Sequence, residues 1–428
     1  MLSSIKIGIV GLGYVGLPLA VEFAKKYSTL GFDINQNRVS ELNSFVDSTN
    51  EVESEDLSKV LNQNNDIGLT ITDDKLYLEG CNVYIITVPT PIDTNKNPDL
   101  SPLINATKMV SQFLDKDNIV IYESTVYPGA TEEECVPILE KISKLKYNKD
   151  FYCGYSPERI NPGDKKHTLI NIKKITSGSN KESAFFIDNL YKSIIVAGTY
   201  KAKSIKVAEA AKVIENCQRD INIAFVNELS KIFNLMQIDT NDVLDAASSK
   251  WNFLNFRPGI VGGHCIGVDP YYLAQKSINI GYYPEIILGG RRINDSMGSY
   301  ISKSVIKKMI KKNIVINNSS ILILGFTFKE NCPDTRNTKV IDIYNELIEY
   351  NANVKVFDPI ANKEQVKKEY DIDIINDVSK LTDKFDCAIL SVSHNDFKNL
   401  DLKNIMNQNS LVYDVKNFYS RTLNYDRL

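Results

Sequence analysis

The stretch "IKIGIVGLGYVGLPLAVEFAKKYSTLGFD", residues 5–33, decides the fold class. It contains an apolar run, a glycine-rich turn, a segment with apolar residues at helical spacing, and a second short apolar run. The helical spacing is carried by Leu17, Ala20, Val21 and Ala24. This order predicts two parallel strands joined by a helix.

Further apolar runs extend the pattern along the chain. "CNVYIITVPTP", "NIVIYEST" and "DFYCGYSPE" are typical of strands in a parallel sheet that helices cover on both faces. Residues 204–237 contain no proline or glycine and keep a helical apolar period, so we expect one long helix, or two in succession. After residue 318 the strand pattern returns in "SSILILGFTF", "NVKVFDP", "DCAILSV" and "SLVYDVKN".

These segments predict an α/β fold with two Rossmann-like, doubly wound parallel-sheet domains. A long central helix and a helical dimerisation region join the two domains. The predicted boundaries are 1–200 for the first domain, 201–312 for the central helical part, and 313–428 for the second domain. We expect a homodimer that forms through the central helix.

Composition excludes several classes of function. The 428-residue chain has a formal net charge of -3, which argues against a nucleic-acid-binding protein or one attracted to an anionic membrane. Its seven cysteines form no CxxC pair and are odd in number, which is usual in the cytosol. No signal peptide or membrane span is expected. We therefore predict a cytoplasmic protein.

The glycine-rich turn "GLGYVG" predicts a dinucleotide site, because it stands between a strand and a helix. Gly11 makes the tight turn, Gly13 lets the backbone approach a pyrophosphate, and Gly16 allows close helix packing. The helix N-terminus supplies N–H groups and a positive dipole to the phosphates. Asp33 ends the next strand and would accept from ribose hydroxyls, which favours NAD over NADP. Arg38 leaves NADP open, since an arginine there can receive a 2′-phosphate.

A second glycine-rich segment, "VGGHCIGVDPYY" at residues 261–272, surrounds Cys265. The cysteine could be a nucleophile, a metal ligand or a buried structural residue. Zinc needs further ligands, and His264 has only two other histidines in the chain, so we expect no metal. A thiolate beside a nicotinamide can carry an aldehyde through a thiohemiacetal and a thioester to an acid.

The motifs "GLGYVG", "VPTP", "EST", "SPER", "GGHC" and "GFTFKENCPDTR", with the long helix between the fourth and fifth, occur in the order typical of one family. Over essentially the whole chain the sequence resembles the UDP-glucose/GDP-mannose dehydrogenase family. The resemblance implies an NAD-dependent oxidoreductase of the EC 1.1.1 type. It would oxidise the C6 alcohol of a nucleotide sugar to a carboxylate, using two NAD, in a cleft between the domains.

The resemblance also implies roles for individual residues. The cofactor site would consist of Gly11, Gly13, Tyr14, Val15, Gly16, Asp33, Arg38, Thr90, Thr125 and Arg336. The catalytic residues would be Cys265, Lys212, Asn216, Asp269, Glu158 and Thr125. The substrate site would include Glu158, Arg159, Lys212, Asn216, Arg257, Gly262, Phe328 and Lys329.

In these roles, Cys265 is the nucleophile and Lys212 stabilises an oxyanion on the sugar carbon. Asn216 shares a helix face with Lys212, and Asp269 organises the lysine and a water. Glu158 serves thioester hydrolysis and aldehyde handling. Without the resemblance, a helix lysine and a surface carboxylate would be the simpler interpretations of Lys212 and Glu158.

One departure from the family pattern bears on the sugar. UDP-glucose enzymes usually have lysine where this chain has Val268. "GGHCIGVDPYYL" and "SPERINPGD" resemble instead the branch that acts on UDP-N-acetylhexosamines, with UDP-N-acetylglucosamine or UDP-N-acetylgalactosamine favoured, for capsule or O-antigen polysaccharide. UDP-N-acetylmannosamine, UDP-glucose, a single-step oxidoreductase and a non-enzymatic NAD-binding scaffold remain alternatives.

Overall fold

The computed structural model describes residues 4–61, 67–93, 95–160 and 167–428. Residues 161–164 of the "SPERINPGD" motif lie outside the described residues. The chain forms two compact units. Unit one comprises residues 1–215 and 271–282, and unit two comprises 216–270 and 283–428.

In unit one the described residues form an eight-stranded sheet in the order β3-β2-β1-β4-β5-β6-β7-β8. Its strands are β1 (Lys6–Val10), β2 (Ser28–Phe32), β3 (Gly68–Thr72), β4 (Val83–Ile86), β5 (Ile119–Tyr122), β6 (Tyr152–Tyr155), β7 (Lys174–Gly178) and β8 (Thr199–Lys201). Its helices are α1 (Gly16–Ala24), α2 (Gln36–Asn43), α3 (Ser54–Leu61), α4 (Ser101–Val110), α5 (Val136–Ser143) and α6 (Lys181–Lys192).

The central strands of unit one are buried on both faces, as their continuous apolar runs predict. In β5, Ile119 and Ile121 pack into one apolar core, while Val120 and Tyr122 pack into the core on the other face. One pair departs from the predicted parallel arrangement, since β6 and β7 are antiparallel. The described part of their connection holds a short 3-10 turn, Leu169–Asn171, and no crossover helix of the kind that parallel neighbours need.

The predicted long helix is one continuous helix of 32 residues, α7 (Ile205–Met236). The remaining helices are α8 (Thr240–Ser248), α9 (Asp269–Asn279), α10 (Glu285–Asp295), α11 (Met297–Lys311), α12 (Val340–Glu349) and α13 (Lys363–Tyr370). Among the described helices none is both long and apolar enough to cross a membrane.

Unit two contains a parallel six-stranded sheet in its described residues, in the order β11-β10-β9-β12-β13-β14. Its strands are β9 (Ser320–Leu324), β10 (Asn353–Phe357), β11 (Ile374–Ile375), β12 (Phe385–Leu390), β13 (Met406–Asp414) and β14 (Asp426–Arg427). Ile321 and Ile323 face one core, and Leu322 and Leu324 face the other. The structure confirms the predicted class of two Rossmann-like domains with a long central helix.

Candidate active site

The "GLGYVG" turn has the geometry of a dinucleotide cradle. Gly11 has φ +96° and donates its N–H to the Phe32 carbonyl at 2.8 Å. A Cβ at Gly16 would lie 1.8 Å from the Gly11 carbonyl oxygen, so no side chain fits there. A Cβ at Gly13 would meet no protein atom within 4 Å, which leaves that side of the turn open to a ligand. The three glycines therefore fit the predicted roles of turn, close approach and packing.

Asp33 supports this turn and keeps capacity for a ligand. Its Oδ2 accepts from the Leu12 N–H at 2.8 Å, and its Oδ1 accepts from the Asn35 N–H at 2.9 Å. An ionised carboxylate offers about four acceptor positions, so about two remain for ribose hydroxyls. The half-buried Asp33 therefore fits its predicted role.

Arg38 is buried and tied to the same turn. Its Nε donates to the Leu12 carbonyl at 2.8 Å, and its guanidinium pairs with Asp47 at 2.8 Å and also with Glu41. Burial opposes ionisation of Asp47, but hydrogen bonds from Thr49 and backbone N–H groups, with the Arg38 charge, lower the pKa of its carboxyl. Because two carboxylates already hold its guanidinium, Arg38 is poorly placed to receive a 2′-phosphate.

The loops after β4 and β5 join the turn at the carboxyl ends of the strands, where ligands of open α/β sheets bind. Thr87 donates to the Gly11 carbonyl at 2.7 Å. Thr90 donates to the Thr125 carbonyl at 2.6 Å. Tyr14 and Val15 are half-buried ahead of α1, and the Val15 side chain makes no capping hydrogen bond.

Glu158 of "SPER" is nearly buried and lies against residues that the sequence did not single out. Its Oε2 is 3.2 Å from Nζ of Lys174, which is also 2.6 Å from Oε2 of the fully buried Glu123. Burial raises the pKa of Glu123 to about 7, although Lys174 opposes this. The sequence signal for this pair is a charged residue at one end of each of two strand segments, Glu123 in "IVIYE" and Lys174 in "KITSG".

The "SPER" segment contacts α7, the helix that contains Lys212. Arg159 forks onto Glu215 of α7, with its NH2 at 2.8 Å and its Nε at 3.2 Å from the two carboxylate oxygens. Lys212 lies on α7 and is 8% exposed, which excludes the solvated lysine that a bare helix pattern would favour.

In unit two, two predicted catalytic residues are in direct contact. Asn216 donates its Nδ2–H to Oδ2 of Asp269 at 2.6 Å, and both side chains are buried. Asp269 also begins α9, where its N–H donates to the Cys265 carbonyl at 2.8 Å. Cys265 is half-buried, whereas the other six cysteines of the chain are buried. It is therefore the thiol most open to a substrate.

The glycines beside Cys265 admit protein atoms. A Cβ at Gly262 would be 2.8 Å from the Asn337 carbonyl oxygen. A Cβ at Gly263, which has φ +84°, would be 2.7 Å from the Phe328 ring. Within unit two, these contacts bring the predicted substrate residues Gly262 and Phe328 together. Asn337 and Phe328 therefore fill the space beside Gly262 and Gly263.

Two predicted site residues of unit two, Arg336 and Arg257, are paired with carboxylates. Arg336 forks onto Asp334, with its NH2 at 2.7 Å and its Nε at 3.0 Å. Burial opposes ionisation of Asp334, but His264 and Arg336 hold the pKa of its carboxyl well below the usual range. Arg257 pairs with Asp245 at 2.6 Å. Lys329 is half-buried and follows Phe328.

The candidate residues divide between the two units. Unit one contains the glycine turn, Asp33, Arg38, Thr90, Thr125, Glu158, Arg159 and Lys212. Unit two contains Asn216, Arg257, Gly262, Cys265, Asp269, Phe328, Lys329 and Arg336. In the described parts of the chain, no group of three or more histidine, cysteine, aspartate or glutamate side chains is placed to hold a metal ion. The fold and the glycine turn define a dinucleotide-binding α/β protein.

Comparisons with known proteins identify the family. Three models of the UDP-glucose/GDP-mannose dehydrogenase family match: the NAD binding domain at residues 5–195, the central domain at 206–296 and the UDP binding domain at 322–421. The chain belongs to this family, and it is an NAD-dependent oxidoreductase of nucleotide sugars. The predicted family, enzyme class and NAD cofactor are thereby confirmed.

Similarity to individual proteins extends over nearly the full length. The chain is 57% identical to the UDP-N-acetyl-D-glucosamine 6-dehydrogenase of Salmonella typhi over 97% of this chain and 96% of that protein. It is 52% identical to Protein CapL of Staphylococcus aureus over 96% and 95% of the two chains. Among solved structures, a UDP-D-ManNAc dehydrogenase from Pyrococcus horikoshii superposes with a TM-score of 0.88 at 29% identity, covering 97% and 96% of the two chains.

Proposed function

We propose that this enzyme oxidises the C6 alcohol of UDP-N-acetyl-D-glucosamine to the carboxylate, a four-electron reaction that uses two NAD. The observation that carries the choice of sugar is the 57% identity to a UDP-N-acetyl-D-glucosamine 6-dehydrogenase over 97% of the chain. Identity to the solved UDP-D-ManNAc dehydrogenase is 29%. The product would supply uronic acid units for capsule or O-antigen polysaccharide.

Cys265 carries the sugar between the two oxidations. NAD, when bound at the glycine turn, accepts one hydride from the sugar carbon in each oxidation. The Cys265 thiolate adds to the C6 aldehyde, and the resulting thiohemiacetal is oxidised to a thioester. Water then cleaves the C–S bond, which releases the carboxylate and returns the thiol. The half-buried position of this one cysteine supports the assignment.

Charged and polar groups of the enzyme stabilise each stage. Lys212 would stabilise the oxyanion of the thiohemiacetal, and a nearly buried ammonium does this more strongly than an exposed one. The hydrogen bond between Asn216 and Asp269 fixes the orientation of both side chains. Thr125 and Glu158 would position the hydrolytic water. Glu158, Arg159, Lys212, Asn216, Arg257, Gly262, Phe328 and Lys329 would contact the UDP-sugar, and Arg336 would contact the cofactor.

The three-part division at 1–200, 201–312 and 313–428 remains part of this proposal, and the family segments at 5–195, 206–296 and 322–421 support it.

We further propose a cytoplasmic homodimer. Four apolar residues on one face of α7 are 44% to 54% exposed, namely Val207, Ile214, Phe225 and Ile232. The substitution I232E should produce a monomer by light scattering, whereas V196E, at an exposed apolar residue elsewhere, should not. A dimeric I232E would contradict this interface.

The decisive experiment measures NADH formed per sugar consumed, with UDP-glucose and the UDP-N-acetyl derivatives of glucosamine, galactosamine and mannosamine. We expect two NADH per sugar and the highest kcat/KM with UDP-N-acetylglucosamine. One NADH per sugar would overturn the acyl-enzyme route. A higher kcat/KM with another sugar would overturn the choice of substrate.

Two cysteine variants give the matched test of the nucleophile. C265S should abolish complete turnover while leaving NAD binding intact. C81S should behave as the wild type, because Cys81 is buried and burial raises the pKa of its thiol to about 11. Unimpaired steady-state NADH production by C265S would contradict the assignment.

A further inference from the structure

A buried cluster of charged groups lies behind Glu158 in unit one. Nζ of Lys174 is 2.6 Å from Oε2 of Glu123 and 3.2 Å from Oε2 of Glu158. The side chains of Lys174, Glu123 and Glu158 are 3%, 0% and 9% exposed, so solvent screens these contacts little. Tyr191 completes the cluster, because its hydroxyl donates to Oε1 of Glu123 and its ring centre lies 5.6 Å from Nζ of Lys174.

Four elements of the fold supply these groups. Glu123 follows β5, Glu158 follows β6, Lys174 begins β7 and Tyr191 lies on α6. The antiparallel pairing of β6 with β7 and the packing of α6 on that region place the four side chains together. No local sequence motif produces this arrangement, since Glu123 and Lys174 are 51 positions apart.

The cluster fixes the orientation of the Glu158 carboxylate. Its Oε1 accepts from the N–H of Ile160 at 2.5 Å and from the N–H of Arg159, while its Oε2 faces Lys174. An ionised carboxylate has about four acceptor positions, so these three donors leave about one for a further group such as water. A carboxylate held in this way presents that position in one direction.

The charge of the cluster depends on Glu123. With both glutamates ionised, Lys174 balances two negative charges, and its shorter contact is with Glu123. Burial raises the pKa of Glu123 to about 7, with Lys174 opposing and Glu158 reinforcing the shift. When Glu123 takes up a proton, the ammonium charge of Lys174 is balanced by Glu158 alone. The pair between Lys174 and Glu158 then becomes stronger.

We propose that Lys174 and Glu123 are positioning residues for Glu158: Lys174 holds the Glu158 carboxylate in one orientation, and the ionisation of Glu123 sets how firmly it is held. The inference rests on the proposed function, from which it takes the part of Glu158 in thioester hydrolysis. It adds two residues to that half of the reaction. We expect loss of either residue to slow hydrolysis more than either oxidation.

The test separates oxidation from hydrolysis in the full-length enzyme with NAD and UDP-N-acetylglucosamine. The variant K174M removes the ammonium and keeps most of the side-chain volume. We expect a burst of two NADH per active site as in the wild type, a steady-state rate at least tenfold lower, and an acyl adduct on Cys265 in the intact-protein mass spectrum. The matched control K173M changes the exposed neighbouring lysine and should match the wild type.

The variant E123Q tests the control by ionisation and keeps the shape of the cluster. Decay of the acyl adduct in the wild type should change on either side of pH 7, and E123Q should lose this change. If K174M does not fold, E123Q decides alone. The proposal is overturned by equal losses of burst and steady-state rate in K174M, by a wild-type steady-state rate in K174M, or by an unaltered pH profile in E123Q. No NADH from the wild type with any sugar would instead overturn the proposed function, and this inference with it.

Discussion

Substitution of Gly16 and of Gly13 by alanine should separate the fold of the glycine turn from its function. At Gly16 the new methyl group would lie 1.8 Å from the Gly11 carbonyl oxygen and 2.5 Å from Oγ1 of Thr87. Real Cβ contacts are essentially never shorter than 3.0 Å, so the backbone of the turn must move by more than 1 Å. The carbonyl also accepts the Thr87 hydroxyl at 2.7 Å, and that hydrogen bond would be lost.

The expected magnitudes differ between the two variants. Overpacking against backbone costs about 3 kcal/mol or more for G16A. For a unit of this size that corresponds to a fall in Tm of roughly 6–12 °C. G13A should leave the unfolding free energy unchanged or raise it by up to about 1 kcal/mol, because its methyl group meets no protein atom within 4 Å. It should weaken NAD binding at least tenfold, about 1.4 kcal/mol, by filling the open side of the turn.

Two measurements on the same samples check this pair. Thermal unfolding without ligand reports the fold, and calorimetric titration with NAD reports the site. Wild-type NAD affinity in G13A would refute the placement of the cofactor against Gly13. A wild-type Tm in G16A would refute the steric argument for the third glycine.

Three further predictions concern buried groups. The folded protein binds more protons than the unfolded one between the ordinary Glu123 pKa of 4.5 and its raised value of about 7. The Glu123 contribution to the free energy of unfolding should therefore fall as pH rises through that window, and unfolding curves of E123Q should lack this slope. Burial opposes ionisation of Asp358, but His394 and backbone N–H groups lower the pKa of its carboxyl. The Asp358 carboxylate therefore stabilises the fold fully above pH 3.8, and this stabilisation is lost in stronger acid. D358N should cost at least about 2 kcal/mol in denaturant unfolding and lose that acid dependence; an unchanged midpoint would contradict this. G263A should lower the free energy of unfolding by about 1–3 kcal/mol, because the residue has a positive φ and the new methyl group would contact the Phe328 ring. F328A in the same chain should relieve the contact but not the strain of the positive φ. Purely additive losses of unfolding free energy in the double variant would exclude the contact.

The sequence predicts those parts of the fold that depend on local pattern. The alternation within β5 and β9 follows directly from apolar runs, and the 32-residue α7 follows from a segment without proline or glycine. The antiparallel β6–β7 pair was missed, because the direction of a strand depends on the path of its connection, and apolar content does not report it. The antiparallel β6–β7 pair matters for the site because it brings Lys174 of β7 next to Glu123, and no local sequence pattern reports this contact.

Glycines at a site are the least predictable feature from sequence. Gly13 and Gly263 both occur in glycine-rich loops beside expected ligands, yet their surroundings differ. The space at Gly13 is open, while at Gly263 it is filled by the Phe328 ring. A glycine reports that space or an unusual φ is needed, and only the structure shows whether a ligand or the protein uses that space.

The two sheets show why similar strand ends have different functions. Gly11 and Gly325 both have positive φ and both donate at 2.8 Å to the last residue of the neighbouring strand. Each is accompanied by an aspartate just after that strand, Asp33 in "GFD" and Asp358 in "VFDP".

The two carboxylates differ in what they already accept. Asp33 is half-buried and takes one backbone N–H on each oxygen, which leaves capacity for ribose. Asp358 is fully buried and takes four backbone N–H groups and lies 3.0 Å from Nε2 of His394. Because its acceptor positions are filled by the protein, Asp358 has none left for a sugar hydroxyl. The second sheet therefore keeps the turn of a dinucleotide site without a carboxylate that is open to a ribose hydroxyl.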